Sequence, residues 1–283
     1  MTYVSYKTAT ASAGWSLWAP FRAGFDPRLL RLTQQLALGA VVPLAVLLLW
    51  HTATKGEWLA PQVLPAPGLV WETTGELLAS GELQSELWVS LQRVLWGVAL
   101  GGALGLIAGL AFGLSRFLDI YVAPTIRAIC LVPSLGWLPF FMLLFGIGEA
   151  LKIILIAKTC FLPLMVSAYE GLRNRPRKYD EIAAALELPF LTRVFQITLP
   201  SILPSVLTGL RLALSKGWKA LILVEMISSA AGIGYLMMWG RKAFQLDVVF
   251  ATIIVIGVVG WFMDAALLRL QNRLTGWSVK SVG

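Results

Sequence analysis

The sequence predicts an all-α, polytopic membrane protein with about six transmembrane helices. Three observations carry that prediction. Of 283 residues, 58% are hydrophobic and only 13% charged, against about 25% charged in soluble domains. The mean hydropathy is +0.76, and apolar runs approaching the ~20 residues a bilayer requires recur along the chain. The basic residues behind the net charge of +8 gather in some loops and avoid others. That is the asymmetry of the positive-inside rule, so the expected surround is membrane lipid and no nucleic-acid partner is expected.

Residues 1–33 carry Lys7, Arg22, Arg28 and Arg31 among Trp15, Trp18, Phe21 and Phe25. No charged start leads at once into an apolar core with a small-residue cleavage site, so the segment reads as a cytoplasmic N-terminus and not a cleaved signal. An interfacial helix and an unstructured tail both stay open for it. The membrane domain is expected over 34–273, with a cytoplasmic tail over 274–283. The first span, about 34–50, closes at Trp50 and His51, the single histidine. A stretch punctuated by Pro61, Pro65 and Pro67 follows, with an amphipathic helix around Trp71–Leu78 on the periplasmic side.

The second span, about 94–114, is uncharged and repeats glycine every fourth residue at Gly97, Gly101, Gly105, Gly109 and Gly113. Such spacing makes a groove along one helical face where another backbone can approach. The partner, in this chain or in a second copy, stays open. Arg93, at the edge of the span, is expected to snorkel to the interface. The third span, about 130–148, reads as two pieces interrupted near Pro133. Proline at membrane depth frees carbonyls and is tolerated only in protein or beside a cavity, so Pro133 and Trp137 are candidate path residues.

Lys158 lies within the fourth span, about 151–169, and joins them as a path candidate. The fifth span, about 205–226, starts after Pro204 and holds Arg211, Lys216, Lys219 and Glu225, each costing about 2.5–3.5 kcal/mol at the bilayer centre. At 100° per residue the three cations share one broad face. A cationic path for an anion, using Lys216, Lys219 and Glu225, and snorkelling with pairing to Glu225 or another helix both stay open. The sixth span covers about 248–268.

Between the fourth and fifth spans, Arg173, Arg175, Arg177 and Lys178 mark a cytoplasmic loop leading into 180–200, DEIAAALELPFLTRVFQITLP. It is too polar to cross a membrane, yet Leu188, Leu191, Val194 and Phe195 form an apolar set that requires a cover. Its pattern is helix, turn and helix, with Pro189 interrupting and Pro200 stopping it. The spacing of Glu181, Ala183, position 187 and Ile197-Thr198-Leu199-Pro200 resembles the EAA loop of binding-protein-dependent ABC importer permeases. Ser90 to Val94, the spacing of Pro133, Trp137 and Pro139, Phe145 to Glu149, Thr208 to Arg211, and Glu225 are similar to the nitrate, sulfonate and taurine group of that family.

The resemblance implies a type I importer transmembrane domain in the bacterial inner membrane, with both termini cytoplasmic. It implies a homodimer, a periplasmic substrate-binding protein, and two cytoplasmic ATPase subunits docked at 180–200 through Glu181, Ala183, Ala184, Glu187, Leu188, Ile197, Leu199 and Pro200. ATP and Mg would be bound by those ATPases, with no cofactor in this chain. Two residues depart from the family pattern. Ile182 replaces an alanine, and Glu187 replaces a glycine, where a left-handed backbone costs a glutamate about 1 kcal/mol. The turn is therefore expected to shift toward Leu188-Pro189.

The sequence holds no phosphate-cradling Gly-x-x-x-x-Gly-Lys-Ser/Thr loop, no nucleophile and histidine pair and no metal-ligand spacing, so no enzyme is expected. Cys130 and Cys160 sit in apolar runs and suggest neither a disulfide nor a metal site. The expected cargo is a small anion, an aliphatic sulfonate or taurine first, with nitrate, bicarbonate or a neutral vitamin precursor as alternatives. A different class, a transporter driven by an ion gradient, would use Lys158, Lys219 and Glu225 as relay groups.

Overall fold

The computed structural model describes residues 27–60, 63–176, 181, 185–189 and 192–276, in two units, Met1–Trp58 and Leu59–Gly283. The first unit contains α1, Pro27–Lys55, with Pro43 inside it. Helix α1 opens on a proline, where the missing N–H leaves no bond unmade. The first expected span lies within α1, which begins inside the segment assigned above to the N-terminus. Residues 1–26, with Trp15, Trp18, Phe21 and Phe25, lie outside the described residues.

The second unit starts with α2, Pro67–Ala79, and α3, Glu82–Leu114. Short helices α4, Arg116–Tyr121, and α5, Ala123–Leu131, lead to a 3-10 turn over Ser134–Trp137 and to α6, Leu138–Phe145. Helix α7, Glu149–Arg173, follows. A π-helical turn, Arg193–Thr198, runs directly into α8, Leu199–Ser228, and the chain continues with α9, Ile233–Lys242, and α10, Leu246–Leu274. Among the described residues α3, α7, the continuous helix Arg193–Ser228 and α10 are long and apolar enough to cross a membrane. The pair Ala123–Leu131 and Ser134–Phe145, bent by 91°, makes a fifth span if counted as one.

Four span boundaries differ from the sequence reading. Helix α3 begins at Glu82 and not near 94, because Arg93 finds partners in the protein and does not end the helix. The break in 130–148 falls where Pro133 was expected to interrupt it, but its first helix, α5, starts at Ala123 and stops at Leu131, before Pro133 adopts an extended ψ of 140°. Pro200 does not stop the coupling segment but sits at the N-terminal edge of α8, where a proline needs no donor. The looser π winding just ahead of it absorbs the ring that an α-helical register would reject. Pro204 accordingly lies inside α8. Finally, α10 runs on to Leu274, into the expected tail, of which residues 277–283 lie outside the described residues.

The glycine repeat defines the central contact. A Cβ at Gly101 would overlap the carbonyl of Ala157, one at Gly105 that of Phe161, and one at Gly109 that of Met165. Gly97 and Gly113 would collide with Ile156 and Leu172. All five glycines face α7 of the same chain, and α3 and α7 meet backbone to backbone as in other small-residue membrane contacts. Helix α8 packs on the other side of α7 in the same manner, with Gly209 against Ser167 and Gly217 against Cys160. The core around this three-helix layer contains Val94, Ile156, Cys160, Leu164, Ala213, Trp218 and Leu221. Trp218 ties α8 to α10 through its indole N–H, which donates to the Ile256 carbonyl at 3.2 Å. At one end α2 is fastened to α10 by Thr73 Oγ1, which donates to Asp247 Oδ2 at 2.7 Å.

Gly101→Ala should therefore lower the melting temperature of the purified protein, by a destabilisation of about 1–3 kcal/mol from overpacking. Gly75→Ala, where nothing lies within 4 Å of the added methyl group, should leave melting unchanged or raise it. Equal melting of the two variants would refute the backbone contact.

Candidate functional site

The functional side chains fall at three levels of the bundle. At the end where α3 and α7 start and α8 finishes, charged residues from distant parts of the chain converge. Arg93 is 4% exposed and Glu225 1%. The Arg93 guanidinium donates from Nη1 to Glu225 Oε1 at 2.7 Å and to the Ala231 carbonyl at 2.6 Å, and from Nε and Nη2 to both oxygens of Glu149, each at 2.7 Å. Lys152 donates to Glu149 Oε1 at 2.8 Å. Glu225 also accepts from Ser90 Oγ at 2.9 Å and from the Gly234 N–H at 3.0 Å. Each charge has an opposite neighbour and most donors a partner, the condition under which buried ions persist.

This network fixes the turn between α8 and α9. Ser90 accepts the Ile233 N–H at 2.9 Å, Glu86 accepts the Gly232 N–H, and Gly232 has φ +111°, where a side chain would run into the Glu225 carboxylate. Two expectations are corrected here. Arg93 does not snorkel to the interface, because Glu149 and Glu225 offer it a bidentate and a buried partner that water cannot better. Glu225 does not pair with Lys216 or Lys219: it faces Arg93, Ser90 and Gly234. No local pattern signals the network, since Arg93 precedes its partners by 56 and 132 residues.

In the middle of the bundle, Pro133, Trp137 and Lys158 come together at the broken pair. The Lys158 ammonium donates to the Val132 carbonyl at 2.7 Å, the group that the helix break leaves free, and stands 5.5 Å from the centre of the Trp137 ring. Ser134 and Thr159 share a hydrogen bond of 2.7 Å beside it. Lys158 also borders a groove of about 280 Å³ that is otherwise lined by Leu100, Gly101, Leu104, Ile154, Ala157 and Phe161. Lys216 and Lys219 are both exposed on α8, and Arg211 is neutralised by Asp264 through bonds of 2.5 and 2.6 Å. Within this chain the six path candidates thus fall in three places. Among the described residues no group of His, Cys, Asp or Glu could hold a metal ion.

At the opposite end lies the 180–200 segment. Ala183 and Ala184 lie outside the described residues; Glu181 is helical and exposed. Glu187 keeps the left-handed backbone itself, at φ +48°, so the turn does not shift toward Leu188-Pro189. The expected cost is borne at that position, and beyond it the Arg193 N–H donates to the Pro189 carbonyl at 3.0 Å. Leu188, Ile197 and Leu199 are half-buried, while Leu186 and Phe195 are 63% and 65% exposed. Arg175 donates to Thr198 Oγ1 at 2.8 Å and fastens the end of α7 to the π turn.

A bundle of long apolar helices, tied internally by ions and carrying an exposed apolar segment at one end, defines a multi-pass membrane protein. The chain belongs to the family of binding-protein-dependent transport system inner membrane components, whose profile matches residues 101–276. It is 36% identical over 237 residues to the aliphatic sulfonates transport permease protein SsuC of Escherichia coli (strain K12), covering 84% of this chain and 90% of that one. It is 34% identical over 239 residues to the protein of the same name in Bacillus subtilis (strain 168), covering 84% and 87% of the two chains. The taurine transport system permease protein TauC of Escherichia coli (strain K12) is 32% identical over 252 residues, covering 87% and 91%. The fold is similar to that of a chain in the inward-facing MetNI methionine ABC transporter, with a TM-score of 0.59, 16% identity and coverage of 66% of this chain and 94% of that one. The chain is an ABC importer permease, a transport subunit and not an enzyme.

Two measurements check the site. Arg93→Met leaves Glu225 buried without its countercharge and should destabilise the permease by about 3–5 kcal/mol, whereas Glu149→Gln, at a side chain 60% exposed, should cost far less; thermal unfolding in detergent compares them. Glu187→Gly should relieve about 1 kcal/mol of backbone strain, seen as slower proteolysis of the segment.

Proposed function

We propose that this permease pairs with a second copy to enclose a translocation path for aliphatic sulfonates or taurine, delivered by a periplasmic binding protein and driven by two cytoplasmic ATPases. The observation that carries the substrate class is the identity of 32–36% to permeases named for sulfonate and taurine transport. The cations of Lys158, Lys216 and Lys219 in otherwise apolar spans agree with an anionic cargo.

The 180–200 segment is the docking element for the ATPases. Its exposed Leu186 and Phe195 supply apolar area for a partner, and the cluster Arg173, Arg175, Arg177 and Lys178 puts that end in the cytoplasm, together with both termini. ATP and Mg belong to the ATPases. Because the π turn runs without a break into α8, movement at the docking face is transmitted to a span, and nucleotide binding shifts the population between inward- and outward-open states.

Phe195→Asp together with Glu181→Arg should abolish copurification of the cognate ATPase and uptake of labelled taurine or ethanesulfonate into proteoliposomes, with the permease still folded. Retained ATPase binding would remove the docking assignment; uptake of nitrate alone would remove the substrate assignment.

A further inference from the structure

Between α8 and α10 lies a cavity of about 290 Å³. We propose that it is an anion-binding station on the translocation path, with Lys219 as the group that selects a small organic anion. The inference rests on the importer reading above and adds a site to it.

The charges single out Lys219. Arg211 and Asp264 close one end of the cavity and satisfy each other through two hydrogen bonds. Lys219, two turns further along α8, lines the same cavity, is exposed, and makes no ion pair or hydrogen bond among the described residues. Ser215, one turn before it on the same face, also lines the cavity and has no partner there. The other two lysines differ. Lys158 is already engaged by the Val132 carbonyl and Trp137, and Lys216 borders none of the described cavities.

The cavity lies along the middle part of both helices. Residues 211–219 occupy the middle of α8, Leu199–Ser228, and 256–264 the middle of α10, Leu246–Leu274. An unpaired ammonium at mid-depth is costly, and a mobile anion entering the cavity compensates it.

The walls set the class of anion. Gly257 has nothing within 4 Å of the position a Cβ would take, so its lack of a side chain leaves the space open. Gly260 admits the Trp218 ring, from which a Cβ there would lie 3.2 Å away. Trp218 is pinned by its bond to the Ile256 carbonyl, and Met263 completes the apolar lining. An ammonium and a hydroxyl at one side, facing tryptophan and methionine, suit an oxyanion with a short aliphatic tail. A bare inorganic anion leaves the apolar wall without a ligand.

The test uses the complete importer in proteoliposomes, with labelled methanesulfonate and butanesulfonate offered through the binding protein. Lys219→Gln should lower uptake of both about tenfold or more while ATPase stimulation by the loaded binding protein stays within about twofold. Gly257→Leu should impair butanesulfonate more than methanesulfonate, and Lys216→Gln should transport as the parent. Parent-like uptake by both Lys219→Gln and Gly257→Leu overturns the site.

If the parent importer moves no sulfonate, the substrate reading falls, and the site is judged on butanesulfonate binding to the permease in nanodiscs. Saturable binding lost in Lys219→Gln retains it, and no binding overturns it. Phosphatidylglycerol held by the parent and released by Lys219→Gln, read by native mass spectrometry, assigns the cavity to lipid phosphate and also overturns the proposal.

Discussion

The backbone contact between α3 and α7 is the constraint on which the other features depend. Lipid tails are as apolar as leucine side chains, so burial drives helices together far less than in water, and close approach must supply the attraction. Five glycines in register let the two helices meet at the level of their carbonyls. That approach sets the register that brings Arg93 opposite Glu149 at one end and Leu114 near Arg193 and Thr198 at the other. With α8 seated against α7 through Gly209 and Gly217, the ionic network and the coupling segment become opposite ends of one packed layer.

Much of this was legible in the sequence, for reasons that can be traced to particular residues. The helical class and the long apolar runs follow from composition, and the four-residue glycine period announces close packing before any partner is known. The tie of Arg93 to Glu149 and Glu225 was not legible, because a single arginine at the edge of a span reads the same whether it reaches water or carboxylates far along the chain. Pro200 misled in a different way: a proline forbids an α-helical bond behind it but permits a helix ahead of it, and the sequence does not say which use applies. At Glu187 the residue type argued for moving the turn, while the backbone keeps its left-handed conformation at that position.

Charges within the spans divide by how they are satisfied. Arg93, Glu149, Lys152 and Glu225 neutralise one another, as do Arg211 and Asp264, and these groups hold helices together. Lys158 borrows a carbonyl released by the break before Pro133. Lys216 and Lys219 have no such arrangement among the described residues, and of the two Lys219 lines the cavity between α8 and α10.

The long sequence separation within the ionic network bears on how the chain is made. Arg93 is synthesised 132 residues before Glu225 and 56 before Glu149. At ordinary elongation rates the wait for Glu225 is on the order of ten seconds. Until Glu149 and then Glu225 follow, the guanidinium has neither carboxylate, and its long side chain reaches the headgroup level. The snorkelling arginine suggested by the sequence therefore describes the nascent protein. It ends as Glu149 and then, with α8, Glu225 arrive and draw Arg93 inward, before α10 follows.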